Sequence, residues 1–257
     1  MAAWDIAGSL VDLVVPRECA GCAAPGASLC PDCWAAFAGP VRRLEAGAPR
    51  LIPADGGPPL PVWASTVYAG GSREAIGAWK RRGRVDLTPA FAGRLAAIGR
   101  EIAPAVCTLG LSGVCAVPIP SRMVSRLRRG GRLTEQLAAG LVRGLRTGGL
   151  DAIVTSCLVR TPGARDQVGL GGRARSANRE GATQVWSLRG VGRGMAAIMV
   201  DDVVTTGASL LDAERALAAA GVGALGAAVL AASPPSGQGE RHRDGGYKGP
   251  GSRPPIG

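Results

Sequence analysis

The chain of 257 residues has little histidine and few aromatic side chains. The first shortage limits the possible catalytic mechanisms, and the second limits the residues that can form the core. Its one histidine, His242, lies in a Pro- and Gly-rich tail, which argues against Ser-His-Asp and Cys-His catalysis. Two Phe, two Tyr and five Trp are too few to form the core, so Val, Leu, Ile and Ala must build it. No Walker-type G-x-x-x-x-G-K-[ST] is present, and no G-x-G-x-x-G follows a strand, which disfavours the common nucleotide-binding loops.

Long apolar runs are also missing. The longest uncharged stretch, 216–233, is rich in Ala and Gly and is broken at Gly221 and Gly223. It therefore predicts a helix, a turn and a strand instead of a membrane span. Near the start lie Asp5 and Asp12, and no basic region precedes the apolar residues there, unlike a secretory signal. We expect a protein without a membrane span and with a cytoplasmic location.

The most informative stretch is 196–210, AAIMVDDVVTTGASL. Its short apolar beginning predicts a buried strand over 196–200 that ends at Asp201 and Asp202. A turn rich in Thr, Gly and Ser (205–209) then opens a helical pattern, so N–H groups at the positive end of a helix dipole can bind a phosphate. The carboxylates can accept hydrogen bonds from a diol or hold Mg²⁺, so together the stretch predicts a sugar phosphate site. The alternative is that the acids merely end a strand and TTGAS merely caps a helix.

Two C-x-x-C pairs near the start form a second signal: Cys19 with Cys22, and Cys30 with Cys33. Such pairs can supply four thiolates to one tetrahedral Zn²⁺, and the seven residues between them are turn-prone and short enough to fold one pair onto the other. Four cysteines leave no open coordination position, which predicts a structural site. Two disulfides or a redox C-x-x-C are the alternatives.

The other cysteines and most tryptophans are interpreted as core residues. The single cysteines lie in apolar surroundings, and we expect buried thiols at Cys107, Cys115 and Cys157. Core packing is favoured over stacking on a base for Trp34, Trp63, Trp79 and Trp186.

Positive charge is concentrated in one segment. The net charge is +11, and residues 121–195 hold 14 basic against 4 acidic residues. A basic surface would concentrate a polyanionic substrate and speed its capture. A phosphorylated sugar and a nucleic acid are both polyanions, so the charge pattern fits either partner.

Strand and helix patterns alternate along the chain. Strands are predicted at 62–68, 114–119, 153–159, 196–200 and 224–232, and helices at 4–15, 70–82, 88–100, 133–146 and 210–220. This order predicts an α/β fold with a parallel sheet flanked by helices and a ligand site at the carboxyl ends of the strands. The predicted organisation is an N-terminal helix and zinc module (1–40), a Pro/Gly-rich linker or arm (41–61), the α/β domain (62–233) and a disordered tail (234–257).

The order of apolar strand, acidic pair and T-T-G loop resembles the phosphoribosyl pyrophosphate (PRPP) motif of type I phosphoribosyltransferases. Further motifs lie along residues 6–232: LVDLVVP before the cysteines, Tyr68 with WKRRG at 79–83, VPIP at 117–120, RRG at 128–130, Gln167 with Leu170, Arg175 with Asn178, and DDVVTTGAS at 201–209. In these motifs the chain resembles the ComF-type phosphoribosyltransferase-like family.

The resemblance implies a type I phosphoribosyltransferase fold with a small N-terminal zinc module. It implies Mg²⁺-dependent transfer of ribose 5-phosphate from PRPP to an acceptor with release of pyrophosphate. Asp201 and Asp202 would contact the ribose hydroxyls or Mg²⁺, and residues 160–182 would close over the site. The phosphates would be bound by Thr205, Thr206, Gly207, Ala208, Ser209, Ser121, Arg122, Lys80 and Arg175; for Lys80 and Arg175 a solvated surface role is the alternative.

The family is bacterial and linked to DNA uptake in natural competence. This implies a second hypothesis, in which the chain is a non-catalytic or PRPP-regulated module that binds single-stranded DNA or DNA-uptake proteins. A homo-oligomer is compatible with the sequence. Two departures leave the acceptor open: RGGRL at 129–133 stands where the family often has R-G-F-N-Q, and Thr183 follows Ala182 where Phe is frequent.

Overall fold

The structure is a computed structural model that describes residues 17–53, 56–120, 133–161 and 183–234. The predicted helix at 4–15 and residues 235–257 of the predicted tail lie outside the described residues.

Within the described ranges, helices and strands alternate as the periodicity predicted. The helices are α1 (Pro31–Ala38), α2 (Gly70–Arg81), α3 (Thr88–Cys107), α4 (Leu133–Thr147) and α5 (Ala208–Ala219). The strands are β1 (Arg42–Arg43), β2 (Val62–Val67), β3 (Gly113–Pro118), β4 (Ala152–Val154), β5 (Leu158–Arg160), β6 (Thr183–Val185), β7 (Met195–Val204) and β8 (Ala224–Ala232). Short 3₁₀ turns lie at Glu45–Gly47, Pro49–Leu51 and Val85–Leu87. No described helix combines the length and apolarity needed to cross a membrane.

Six strands form one sheet in the order β1-β2-β8-β7-β3-β4. Only β1 among them runs antiparallel to its neighbour, and every other pairing is parallel. The prediction of an α/β fold with a mostly parallel sheet is confirmed. Strands β5 and β6 form a separate antiparallel pair.

The predicted strand at 153–159 is wrong as a single element. The chain pairs with β3 through the Thr155 N–H, which donates to the Ala116 carbonyl, and then turns away. Two residues later the Cys157 carbonyl accepts from the Trp186 N–H, at the start of the β5–β6 pair. The segment changes sheets, and an apolar pattern alone cannot show a change of partner.

Strand β7 is longer than predicted, and Asp201 and Asp202 lie inside it. The strand continues to Val204 because β8 still pairs there, with Asp201 opposite Val229 and Val204 opposite Ala232. Helix α3 likewise runs past the predicted end at residue 100, because buried Ile102, Ala103 and Val106 extend its apolar face. Tertiary packing therefore overrides local polarity at the C-terminal ends of β7 and α3.

Each face of the large sheet has its own core. One face packs against α2, α3 and α4, and the other against α5 and residues 44–60. The first core contains an aromatic cluster in which the Phe91 ring lies 5.2 Å from Phe37 and 5.4 Å from Trp79, between ring centroids. Phe37 belongs to α1, so the cysteine-bearing segment shares the main core.

Helices α3 and α4 cross with their backbones in contact. A Cβ atom on Gly144 would lie 2.0 Å from the Ala96 carbonyl oxygen, and one on Gly140 would lie 2.2 Å from the Ala92 carbonyl oxygen. Side chains do not fit at these two positions, and the approach of the two helices depends on glycine there.

Candidate functional site

The predicted phosphate loop leaves β7 at the carboxyl edge of the sheet and enters α5. Thr205, Thr206 and Ser209 are exposed, and the helix begins at Ala208, two residues before its predicted start. The first N–H groups of any α-helix have no intrahelical acceptor, which suits a helix N-terminus to an anion; here the Ala208 N–H donates to Thr206 Oγ1 at 3.4 Å. The structure therefore has the predicted loop at the start of a helix, and anion binding there stays a prediction.

Gly207 is required at the turn into α5. Its φ of +80° is in the left-handed region, and a Cβ atom there would lie 2.5 Å from Leu51 Cγ. The Arg50 N–H also donates to the Thr206 carbonyl at 3.1 Å. Residues 48–51 belong to the segment predicted as a linker or arm, and in the structure they pack against Thr206 and Gly207 of the loop.

Alanine at Gly207 is expected to displace the loop and destabilise the protein by about 2 kcal/mol or more, because strain and overlap with Leu51 add. Gly221→Ala is the matched control, since Gly221 has a φ of +78° but open space around its Cβ position. Urea unfolding of both variants measures the difference. Equal losses would show that contact with Leu51 does not constrain the loop.

A cavity of about 210 Å³ opens beside the loop. Its lining includes Asp201 and the whole 205–209 loop, together with Arg160 at the end of β5 and Asp212 in α5. No local sequence pattern identifies Asp212 as a site residue, and Arg160 is only the first residue of the predicted closing segment.

The two adjacent carboxylates have different main neighbours, although they also interact with each other. Asp201 lines the cavity on the α5 side. Asp202 is buried on the α2 side, where Lys80 Nζ lies 2.7 Å from its Oδ1 and 2.5 Å from its Oδ2. The structure therefore places Asp201 in one cavity with the 205–209 loop and pairs Asp202 with Lys80.

Asp201, Asp202 and Lys80 lie close enough to affect one another's ionisation. Burial and the neighbouring Asp202 carboxylate raise the pKa of Asp201 well above its usual range, although Lys80 opposes the shift. Desolvation lowers the pKa of Lys80, but Asp202 and Asp201 outweigh it and raise that pKa overall. Asp202 therefore has a cationic partner, and a ligand cation or hydroxyl would favour the ionised form of Asp201.

Other predicted phosphate contacts are placed differently. Lys80 lies on the α2 side with 43% of its side chain exposed, and it does not line the cavity among the described residues. Ser121, Arg122 and Arg175 lie outside the described residues, so their roles stay predictions.

The four cysteines form a compact cluster. The Sγ atoms of Cys19, Cys22, Cys30 and Cys33 all lie within 4.8 Å of one another and could hold a metal ion. Four sulfurs around a tetrahedral zinc with bonds of about 2.3 Å would be about 3.8 Å apart, which this spacing fits. All seven cysteines are free thiols, so the two predicted C-x-x-C pairs meet without disulfides.

Backbone N–H groups point at these sulfurs. Cys19 Sγ accepts from the N–H groups of Gly21 and Cys30, at 3.4 and 3.2 Å. Burial raises the pKa of Cys19, but these backbone hydrogen bonds outweigh it and lower the pKa to about 6. Burial and the neighbouring thiols raise the pKa of Cys33. Four thiols so close favour a bound cation, which relieves their mutual repulsion when they ionise.

The remaining cysteines and tryptophans show two corrections. Cys115 and Cys157 are buried as predicted, whereas Cys107 is exposed because it ends α3 at the surface. Trp79 is buried, and its indole N–H donates to Thr88 Oγ1. Trp186 is 65% exposed instead of buried, because its indole N–H is held at the surface by the Ser156 carbonyl.

The chain matches no protein-family model and no curated protein. The arrangement of its own residues is therefore the basis for assigning a function.

Proposed function

We propose that this chain binds PRPP or a related ribose phosphate in the cavity beside α5 and acts as a Mg²⁺-dependent phosphoribosyltransferase of the type I fold. It would transfer ribose 5-phosphate to an acceptor and release pyrophosphate. The observation that supports this proposal is that Asp201 and the 205–209 loop line one cavity, as a sugar diol and its phosphate require.

The cavity assigns a task to each part of the ligand. The amide groups of the loop and the first turn of α5 would bind the 5′-phosphate. Asp201 would accept hydrogen bonds from ribose hydroxyls, and Arg160 would add positive charge at the rim. The Lys80–Asp202 ion pair would hold the end of β7 in place from the other face.

Mg²⁺ fits the donor set at this edge. Proteins hold Mg²⁺ through one or two carboxylates plus substrate phosphate oxygens, and Asp201 offers one carboxylate at the cavity. When bound, the ion would neutralise charge that develops on the departing pyrophosphate. The four-cysteine cluster would hold Zn²⁺ in a structural role, since all its ligands come from the protein.

Asp201→Asn is expected to lower the affinity for PRPP with Mg²⁺ by about 10-fold or more, because a charged hydrogen-bond acceptor is lost. Titration calorimetry measures this. Asp151→Asn is the matched control, since Asp151 is an exposed acid on the loop before β4, away from the cavity. No heat with the wild-type protein would contradict the proposed function.

The same variant should become more stable. The pKa of Asp201 is raised on folding, so the folded state binds a proton more tightly than the unfolded chain. Stability then falls as pH rises from the unfolded value through the folded pKa. At neutral pH, Asn removes this unfavourable ionisation, and we expect Tm to rise by roughly 2–5 °C. A lower Tm together with weaker binding would indicate simple misfolding.

The alternative function in DNA uptake stays a prediction. It depends on the basic segment 121–195, and nine of its 14 basic residues lie outside the described residues. Binding of single-stranded DNA that weakens steeply with salt would support it, and affinity that is flat with salt would oppose it.

A further inference from the structure

Arg84 bridges the two cysteine pairs from outside their segment. It lies between α2 and the 3₁₀ turn Val85–Leu87. Its Nη1 donates to the Glu18 carbonyl at 2.9 Å, and its Nη2 donates to the Ser28 carbonyl at 3.3 Å. Glu18 directly precedes Cys19, and Ser28 lies two residues before Cys30. One guanidinium thus connects the backbones that carry the two pairs.

Asp86 fixes the orientation of this guanidinium. Its Oδ1 accepts from Arg84 Nε at 3.0 Å, and its Oδ2 accepts from Arg84 Nη2 at 2.9 Å. The hydrogen bonds from Arg84 lower the pKa of Asp86 and keep it ionised. A bidentate pair of this kind holds the planar guanidinium in one orientation, which a lysine cannot reproduce.

The start of helix α2 also contacts the cysteine cluster. A Cβ atom on Gly71 would lie 3.3 Å from Cys33 Sγ, and one on Gly21 would lie 3.1 Å from the Gly71 carbonyl oxygen. The start of α2 is therefore in direct contact with the sulfur cluster. The surroundings of the cluster come partly from the α/β part of the chain.

We infer that Arg84 is a positioning residue for the metal centre, held by Asp86, and that metal affinity depends on this contact from the α/β part of the chain. The inference rests on the proposed zinc site and is independent of the sugar phosphate site. Groups that orient metal ligands through a second layer of hydrogen bonds typically change metal affinity by 10- to 100-fold. Arg84 acts on the peptide groups next to the ligands, so the four sulfurs would remain but lose their preorganised spacing.

The test uses the full-length protein and measures Zn²⁺ affinity by competition with a chromophoric chelator. Arg84→Gln is expected to weaken Zn²⁺ binding by about 10- to 100-fold and to speed metal release. Arg84→Lys should not restore it, because Arg84 reaches Asp86, Glu18 and Ser28 from three separate nitrogens, whereas a lysine has one nitrogen at a single point. Asp86→Asn should cause a smaller loss, since Arg84 is present but less firmly held.

Arg82→Gln is the matched control. Arg82 is a nearby arginine that pairs with Glu74 at 3.6 Å and donates to its carbonyl. It should leave Zn²⁺ affinity unchanged. Equal affinities for the wild type, Arg84→Gln and Arg82→Gln would overturn the inference, and absence of Zn²⁺ binding by the wild type would overturn the metal site itself. If Arg84→Gln fails to fold, the Asp86→Asn affinity decides.

Discussion

Cys33→Ser is expected to lower Tm by about 10 °C or more. Cys33 lies in α1 and in the sulfur cluster, and Phe37 of the same helix is fully buried against Phe91. Loss of the metal would therefore loosen part of the main core as well as the cysteine segment. Structural zinc sites contribute on the order of 10–16 kcal/mol of binding free energy, and losing even about 4 kcal/mol of it shifts Tm by this amount in a chain of this size.

Thermal unfolding with and without a strong chelator measures this effect. Chelation of the wild type should reproduce most of the loss, and added chelator should change the Cys33→Ser variant little. Cys107→Ser is the matched control, because Cys107 is an exposed cysteine outside the cluster, and its Tm should stay within about 2 °C of wild type. An unchanged Tm for the chelated wild type would contradict a structural metal.

Gly144→Ala is expected to destabilise the protein by about 2 kcal/mol. The new methyl group would lie 2.0 Å from the Ala96 carbonyl oxygen, so α3 and α4 must separate. Overpacking of a close contact typically costs 1–3 kcal/mol and occasionally more, which exceeds the gain of up to about 1 kcal/mol in helix propensity.

Gly93→Ala is the same chemical change as Gly144→Ala, but it is expected to stabilise the protein. Gly93 lies in α3, and outside its own helix no atom of the described residues lies within 4 Å of its Cβ position, so only helix propensity changes. This variant should gain about 0.5–1 kcal/mol. The urea midpoints of the two variants should move in opposite directions, and a shift of both in the same direction would show that the backbones of α3 and α4 do not limit this interface.

Local patterns predicted the parts of this protein that depend on neighbours in sequence. Short apolar runs identified most strands, because both faces of the central strands are buried, and the 3.6-residue period identified the helices. The C-x-x-C spacing brought four thiols together, since each pair forms its own tight turn. The Thr- and Gly-rich loop and its helix also form locally, and Gly207 has the positive φ that such a turn needs.

Contacts between distant segments decided the rest. Polarity predicted that β7 ends at its acids, but pairing with β8 carries it to Val204. The pairing also sends Asp201 to the cavity and Asp202 to Lys80, a partner 122 residues away. Nothing in the cysteine spacing points to Arg84, because it binds carbonyl oxygens, and every residue has one.

The sequence by itself determined most element types, the thiol cluster and the Thr- and Gly-rich loop before α5, because these follow from short-range periodicity, turn chemistry and spacing. Tertiary structure alone decided the strand ends, the separate roles of the two acids, the support behind the loop and the outer contacts of the cysteines. Those features depend on which segments, distant in sequence, approach one another in the fold. Many of these contacts are made by backbone groups, which are nearly the same in every residue, so the sequence does not reveal them.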